Sequence, residues 1–308
     1  MRIAVLGAGA MGRLFAAKLA AANDVLLLVR SQEKAEAVRA GGITVHEQDG
    51  GVFTAHPGAA VAGDVSEAVD LIVVFVKSMD TRAALDSCRG MIGENTCVPT
   101  LQNGGGHEET LAEYVPMARV LIGTTQHNAS IREDGGVFHG GSGHTVIGSP
   151  LGESAAAQAA ARAFADAGFD VEASANVREA VWRKLLTNAS LSALTGVFRS
   201  PMGFVTESGS AWALCERLIR EAVAVAAADG VRFDAEAKIA EVRAVGVNGP
   251  EGITSICADL RNGRLTEADT ITGSVVRAAR RLGVDAPTHE ATLLLIHAME
   301  DRNRLLGL

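Results

Sequence analysis

The first half of the chain alternates continuous apolar runs with segments of helical periodicity. The runs are short and lack polar alternation, which is typical of parallel strands covered on both faces. Gly-rich turns join the later runs, so we expect an antiparallel element to complete the sheet. Strands are predicted at 1–6, 24–29, 43–46, 52–54, 71–76, 97–101, 120–123, 126–131, 137–139, 145–147 and 169–172. The helices among them are predicted at 13–22, 31–39, 80–89, 108–114 and 151–167.

From about Ala175 the strand pattern ends and only helical periodicity continues. These later helices are predicted at 177–194, 207–229, 235–245, 253–261, 266–282 and 288–304. The pattern therefore predicts an α/β fold, with an N-terminal α/β domain over residues 1–174 and a C-terminal all-helical domain over residues 175–308. The active site is expected in the cleft between them, where small-molecule sites commonly form.

The loop after the first strand has the GxGxxG spacing of a dinucleotide-binding turn. Its residues are Gly7-Ala8-Gly9-Ala10-Met11-Gly12. A strand before the loop and a helix after it are the context that makes this motif specific. Gly7 permits the tight turn, Gly9 lets the backbone approach a pyrophosphate, and Gly12 lets the helix pack on the strand. The helix N-terminus then offers N–H groups to the phosphates. The alternative is a turn whose glycines serve packing only.

The residue after the second strand indicates which dinucleotide binds. A protein that prefers NAD usually places an acidic residue here for the ribose 2′-hydroxyl, whereas arginine suits the 2′-phosphate of NADP. This chain has Arg30, with no acidic neighbour before Glu33. The sequence therefore predicts NADP(H), and the alternative for Arg30 is a solvated loop charge.

Composition narrows the class of protein. The 308 residues are 48% hydrophobic and 21% charged, with a net charge of −8 and no basic cluster, so neither nucleic acid nor an anionic membrane is an expected partner. The four cysteines lack metal-ligand spacing, and the histidines form no HxxxH pair, so we expect no metal. No apolar run is long enough to span a bilayer. Met1 leads directly into a core strand, which argues against a signal peptide, and a cytoplasmic location is expected.

Two further strands end in polar residues. Lys77 follows the apolar run 71–76, and Asn103 follows the strand at 97–101 and precedes three glycines. Ligands bind at the carboxyl ends of strands in open α/β sheets. We therefore expect Lys77 near the cofactor phosphate or ribose and Asn103 near the nicotinamide. The alternatives are a solvated lysine and a plain Gly-rich turn.

One predicted helix carries a lysine, an amide and a hydroxyl. Lys184, Asn188 and Ser192 are spaced i, i+4, i+8 and so share a helix face. Reduction of a carbonyl by hydride develops negative charge on oxygen, which a nearby ammonium can stabilise and protonate. A lysine that extends from the helix edge into solvent is the alternative. Thr266 and Glu267 are predicted to begin a late helix, where helix capping is the alternative to a site role.

Together these segments resemble the ketopantoate reductase (2-dehydropantoate 2-reductase) family. The resemblance covers essentially the whole chain in order and spacing, including a Trp-Arg-Lys-Leu-x-x-Asn helix that begins at Trp182. It implies a Rossmann domain with a helical domain, NADPH as cofactor, and reduction of ketopantoate, a 2-oxo acid, to pantoate in pantothenate biosynthesis.

The resemblance also implies a role for individual residues. Lys184 matches the catalytic lysine that acts as general acid, and Glu267 matches a glutamate that contacts ribose or substrate and helps order the site. Asn188 and Ser255 match substrate-binding positions. The cofactor positions matched are Gly7, Gly9, Gly12, Arg30, Lys77 and Asn103.

Three positions depart from the family pattern, which has amide side chains there. They are Ser192, Met202 and Gly252, and Ser192 is kept as a candidate substrate contact. A missing hydrogen-bond partner weakens discrimination at a polar site. Gln126, Asn128 or Arg199 are possible replacements.

Two alternative functions therefore stay open. One is a relative that reduces another oxo acid, and the other is a non-catalytic NADPH-binding sensor. A homodimer is plausible.

Overall fold

The computed structural model describes residues 1–307 and forms two compact units. The first comprises 1–102 and 107–180, and the second comprises 103–106 and the chain from Val181 onward. The division thus falls six residues after the predicted 174/175 boundary. Residues before it pack into the first unit, since the side chain of Val177 lies against Gly148 and Arg178 pairs with Glu108 at 3.9 Å.

The first unit is built on an eight-stranded sheet with the order β12-β11-β8-β7-β6-β1-β2-β5. All neighbours are parallel except β8 and β11, so an antiparallel pair lies near one edge, as predicted. Its strands are β1 Arg2–Leu6, β2 Asp24–Val29, β5 Gly58–Val61, β6 Leu71–Val74, β7 Val98–Thr100, β8 Val120–Thr125, β11 Thr145–Gly148 and β12 Val171–Ala173. The helices of this unit are α1 Ala10–Leu19, α2 Gln32–Gly41, α3 Thr81–Ser87, α4 His107–Leu111 and α5 Ala155–Ala165.

The central strands of this sheet are buried on both faces. Ile3 of β1 pairs with Val25 on one side and with Leu71 on the other, and β6 is buried at every position. Phe15 of α1 stacks on Phe169 with ring centroids 4.6 Å apart. This double burial explains why the apolar runs lack polar alternation.

The hairpin that the sequence predicts around residues 49–51 belongs to a separate four-stranded sheet. That sheet has the order β4-β3-β10-β9. Its strands are β3 Ile43–Glu47, β4 Val52–Ala55, β9 Asn128–Ile131 and β10 Val137–Gly141. Strand β3 pairs in parallel with β10, from far along the chain, and His139 of β10 bonds Glu47 of β3.

The second unit is helical, as predicted. Its helices are α6 Val177–Thr187, which begins in the first unit, α7 Ala193–Phe198, α8 Met202–Glu207, α9 Gly209–Ala228, α10 Ala235–Asn248, α11 Ser255–Arg261, α12 Thr272–Leu282 and α13 Pro287–Leu306. The predicted helix 177–194 is confirmed as one continuous helical run, which extends to Phe198 and contains a π-turn at residues 188–192 between α6 and α7. Helix α8 was not predicted.

Neither a membrane-crossing helix nor a metal-binding cluster is found in the described part of the chain. No helix within residues 1–307 combines the length and apolar character needed to cross a bilayer. No group of three or more His, Cys, Asp or Glu side chains in that range is arranged to hold a metal ion.

Candidate active site

The glycine loop has the geometry that close packing between β1 and α1 requires. Gly7 has φ = 117°, and a Cβ there would lie 2.8 Å from the backbone nitrogen of Val76. A Cβ on Gly12 would lie 1.8 Å from the Gly7 carbonyl oxygen. Both positions therefore exclude any side chain, because the backbone has no room for one.

Gly9 has a different environment. It is the N-cap of α1, and an added Cβ would meet no atom within 4 Å. Ala10 and Met11 follow as the first helical residues, with no acidic side chain in this turn to neutralise the helix dipole. Arg13 donates from Nε to the Ala8 carbonyl at 3.1 Å. The turn is therefore held from within and leaves open space beside N–H groups that can receive phosphate.

Arg30 lies directly after β2, and its side chain is 79% exposed. It forms an ion pair with Asp80, with 2.6 Å between the guanidinium nitrogen and the carboxylate oxygen. Lys77 follows β6 and precedes the short turn that carries Asp80. This acidic partner was not predicted from the sequence, because Asp80 lies 50 residues after Arg30.

The Asn103 loop begins at a fixed anchor and packs within the helical unit. Gln102 is buried and donates from Nε2 to the Val76 carbonyl at 2.6 Å. Beyond it, the Gly105 N–H donates to the Thr270 carbonyl at 2.8 Å. A Cβ on Gly105 would lie 3.7 Å from Cδ2 of Leu185, the residue that follows Lys184. The loop and the lysine helix are therefore neighbours.

Lys184 lies on α6 and is half-buried. Burial lowers the pKa of its ammonium from 10.5 to about 8, and the negative charge of Glu267 opposes that change. A lysine in this range is mostly charged at neutral pH yet can release its proton, as a general acid must. The structure thus brings Lys184 and Glu267 together, although they are distant in sequence.

Asn188 and Ser192 lie at the two ends of the π-turn that follows α6. Within this turn, the Ser190 hydroxyl donates to the Leu186 carbonyl at 2.6 Å, the acceptor that the Ser190 N–H would use in an α-helix. In a regular α-helix, residues eight apart drift by about 80° around the axis. A π-turn has more residues per turn, so it reduces the angle between residues 184 and 192. Such turns are frequent at functional sites.

Ser255 is exposed at the first position of α11, where Thr254 is the N-cap. The hydroxyls of Thr254 and Thr195 lie 2.6 Å apart, and the Thr195 hydroxyl donates to the Ser192 carbonyl at 2.7 Å. Two threonines thus connect the Ser192 and Ser255 segments. Neither threonine was predicted to have this role, although a threonine before a helix is a recognisable N-cap signal.

Two of the three positions that depart from the family pattern contact each other. The Met202 N–H donates to the Gly252 carbonyl at 3.1 Å, and a Cβ on Gly252 would lie 2.3 Å from the Met202 Cε. The methionine therefore occupies the space beside this glycine. Of the suggested replacements, Arg199 donates to the Leu260 carbonyl at 3.4 Å and caps α7 in a left-handed conformation.

The remaining two suggested replacements lie elsewhere. Both belong to the first unit, where Gln126 lies two residues before β9 and Asn128 is the first residue of that strand.

The prediction that Thr266 begins a helix is wrong, because α12 starts at Thr272 and residues 266–271 form a turn. The Glu300 carboxylate of α13 accepts hydrogen bonds from both the N–H and the hydroxyl of Thr266. A hydroxyl engaged in this way holds the turn instead of capping a helix. Glu267 is therefore presented from a turn, close enough to Lys184 for their charges to interact.

Comparison with known families covers nearly the whole chain. The family model described as ketopantoate reductase PanE/ApbA matches residues 3–152, and the model of the C-terminal part of that family matches residues 176–300. A 2-dehydropantoate 2-reductase of Halobacterium salinarum is 35% identical over 307 residues, which cover 99% of this chain and 98% of the relative. A second, from Lactococcus lactis, is 29% identical and covers 98% of each chain.

Two solved structures are similar to this chain over nearly its whole length. The ternary structure of D-mandelate dehydrogenase with NADH and anilino(oxo)acetate has a TM-score of 0.90 at 29% identity, with 99% of this chain and 100% of that chain covered. A PanE/ApbA family ketopantoate reductase from Ralstonia eutropha JMP134 has a TM-score of 0.89 at 28% identity, with the same coverage.

Proposed function

Because the chain belongs to the ketopantoate reductase family, we propose that it reduces the ketone of 2-dehydropantoate to the alcohol of pantoate with NADPH. Family membership makes it an oxidoreductase that uses a nicotinamide dinucleotide and acts on a small oxo acid. The observation that carries the proposal is the half-buried Lys184, whose pKa is lowered to about 8, beside the charge of Glu267. The relatives from Halobacterium salinarum and Lactococcus lactis are both named 2-dehydropantoate 2-reductase, which favours 2-dehydropantoate as the substrate. The similar D-mandelate dehydrogenase structure is the observation that favours another oxo acid.

The first unit carries the cofactor in this proposal. The open space at Gly9 and the exclusion of side chains at Gly7 and Gly12 fit a bound pyrophosphate. The backbone N–H groups of Ala8, Ala10 and Met11 supply donors to it. Arg30 and Lys77 bind the 2′-phosphate, and Arg30 exchanges its partner Asp80 for that phosphate. When bound, NADPH supplies a hydride.

In this proposal the second unit binds the oxo acid and donates the proton. Asn188, Ser192 and Ser255 bind the polar groups of the substrate, and Asn103 holds the nicotinamide side. As the carbonyl carbon gains the hydride, Lys184 donates its proton to the oxygen, so the product is a neutral hydroxyl. Glu267 keeps Lys184 charged until that step, since a nearby carboxylate stabilises the ammonium.

Oxidation of NADPH by the purified protein with 2-dehydropantoate tests the proposal. Lys184→Ala is expected to reduce kcat by about 10²- to 10⁴-fold, the usual contribution of a general acid, with little change in NADPH affinity. Arg183→Ala is the matched control, because this exposed cation precedes Lys184 on the same helix and pairs with Glu241. Full turnover in the Lys184 variant would exclude the assigned role. Absence of turnover in the wild type would exclude the named substrate.

The proposal extends to location and assembly. All four cysteines are free and buried, which suits the reducing cytoplasm.

Leu294 and Leu295 are exposed on α13, at 69% and 50%, which is compatible with a homodimer. Light scattering from the purified protein tests the dimer, and a monomeric mass at high concentration would contradict it.

A further inference from the structure

Glu300, near the end of α13, accepts two hydrogen bonds through one carboxylate oxygen. The donors are the N–H and the hydroxyl of Thr266, each at 2.7 Å. Thr266 is 4% exposed, so both donors would be left buried without this carboxylate. Hydrogen bonds to a charged acceptor are also about twice as strong as neutral ones. Glu300 therefore fixes the backbone where the turn 266–271 begins.

The turn fixes the backbone on both sides of Glu267. The Thr266 hydroxyl accepts from the Ala268 N–H at 3.0 Å. The Glu267 carbonyl accepts from the N–H groups of Thr270 and Ile271, at 3.1 and 3.0 Å. A side chain whose backbone is held before and after it has a restricted range of positions, so the Glu267 carboxylate stays near Lys184.

The same turn also holds the Asn103 loop. Thr270 accepts the hydrogen bond from Gly105, and a Cβ on Gly104 would lie 2.1 Å from the same Thr270 oxygen. The loop backbone therefore lies directly against the turn. A shift of the turn would move the loop together with Glu267.

A second side chain of α13 supports the far part of the turn. His297 Nε2 lies 3.2 Å from Oδ1 of Asp269. His297 and Glu300 are three residues apart and so lie on one face of the helix. Two residues of the turn, Thr266 and Asp269, thus contact the same face of α13.

We propose that Glu300, through Thr266, is a positioning residue that sets the place of Glu267 relative to Lys184 and of the Asn103 loop. The inference rests on the proposed function, in which Lys184 donates the proton. Glu300 itself does not contact substrate. Its role is to keep the Glu267 carboxylate at the distance where it holds Lys184 in the charged form.

The test compares Thr266→Val and Glu300→Ala with the conservative Thr266→Ser, which keeps both donors. We expect the first two to lose about 10- to 100-fold in kcat, the scale of a small misplacement of catalytic groups, and Thr266→Ser to stay near the wild type. As Glu267 moves away, the pKa of Lys184 falls. The alkaline limb of the kcat profile, where Lys184 loses its proton, should therefore move to lower pH.

Asn303→Ala is the matched control on the same helix. Asn303 is buried and donates from Nδ2 to the Leu260 carbonyl at 2.7 Å, so it makes a comparable side-chain-to-backbone bond away from the turn. We expect this variant to melt at a lower temperature but to keep the kcat and the alkaline limb of the wild type. If Thr266→Val and Glu300→Ala behave in the same way, the role of Glu300 is structural and the proposal is wrong.

A second measurement needs no turnover. Lysine occurs only at positions 18, 34, 77, 184 and 238, so carbon-13 labelling at the ε position gives few signals, and Lys184→Ala assigns one of them. The midpoint of the Lys184 signal should fall in Thr266→Val and Glu300→Ala, and an unchanged midpoint overturns the proposal. This result stands even if the wild type does not reduce 2-dehydropantoate, which would refute only the named reaction.

Discussion

Replacing Lys184 by methionine should make the protein inactive but more stable at neutral pH. Methionine keeps an apolar chain of similar length and removes the charge. The pKa of Lys184 is about 8 in the folded protein, below the ordinary 10.5. At about 1.4 kcal/mol per pKa unit, keeping Lys184 charged in the folded state lowers the free energy of unfolding by about 3 kcal/mol.

The sign of the pH dependence follows from proton binding. Between pH 8 and pH 10.5 the unfolded chain binds the Lys184 proton and the folded protein has lost it, so wild-type stability rises with pH. The free energy of unfolding of Lys184→Met minus that of the wild type should therefore be largest below pH 8. It should decline by about 2.5 kcal/mol between pH 7 and pH 10.

Urea unfolding at pH 7, 8, 9 and 10 measures this difference directly. Contributions from other titrating groups cancel between the two proteins, and so does any constant cost of leaving Glu267 without its partner. Lys34→Met is the control for replacing a lysine by methionine, because Lys34 is exposed on α2. A pH-independent difference for Lys184→Met would show that Lys184 titrates at its ordinary pKa, and the argument from burial would fail.

Three further predictions concern the cofactor loop, the selectivity for NADPH and the packing of α13. Gly9→Ala should fold normally, since no atom lies within 4 Å of the added Cβ, but bind NADPH at least about tenfold more weakly in a fluorescence titration. Unchanged affinity would mean that the pyrophosphate does not pass Gly9. Asp80→Asn should release Arg30 and tighten NADPH binding several-fold at low salt without affecting NADH, whereas equal changes for both would contradict a 2′-phosphate contact. Glu221→Gln should cost about 2–3 kcal/mol in urea unfolding at pH 7, because bonds from Thr288 and His289 lower the Glu221 pKa to about 2. This loss should shrink as the pH falls from about 4.5 towards 2, and a constant loss would refute the cause given.

The parts of the fold that were predicted correctly have local causes. The apolar run of β1, the turn at Gly7 and the helix after it are all encoded within a few consecutive residues. Strand β5 was missed because Gly58-Ala59-Ala60-Val61 consists of small residues with weak strand preference. Its place is set by parallel pairing with β2, and a single short segment does not reveal such a pairing.

In the candidate site, too, features that depend on distant residues were not predicted. The residue types at Lys184 and Glu267 were recognisable from the sequence. The turn that presents Glu267 was not, because its geometry depends on a carboxylate of α13 that lies 34 residues further along the chain. The π-turn was not predicted either, because a serine in a helical pattern, such as Ser190, is too common to indicate one.

The placement of residues 103–106 in the helical unit has a consequence for how the chain is synthesised and folds. These residues leave the ribosome long before Thr270, the partner that accepts the Gly105 hydrogen bond. Domains usually fold in order from the N-terminus during synthesis. Here the loop between β7 and α4 cannot form its hydrogen bond to Thr270 until most of the polypeptide has been synthesised. Contacts between such distant residues also form slowly. A fragment that begins at Val181 would lack this loop and, with it, the backbone hydrogen bond from Gly105 to Thr270.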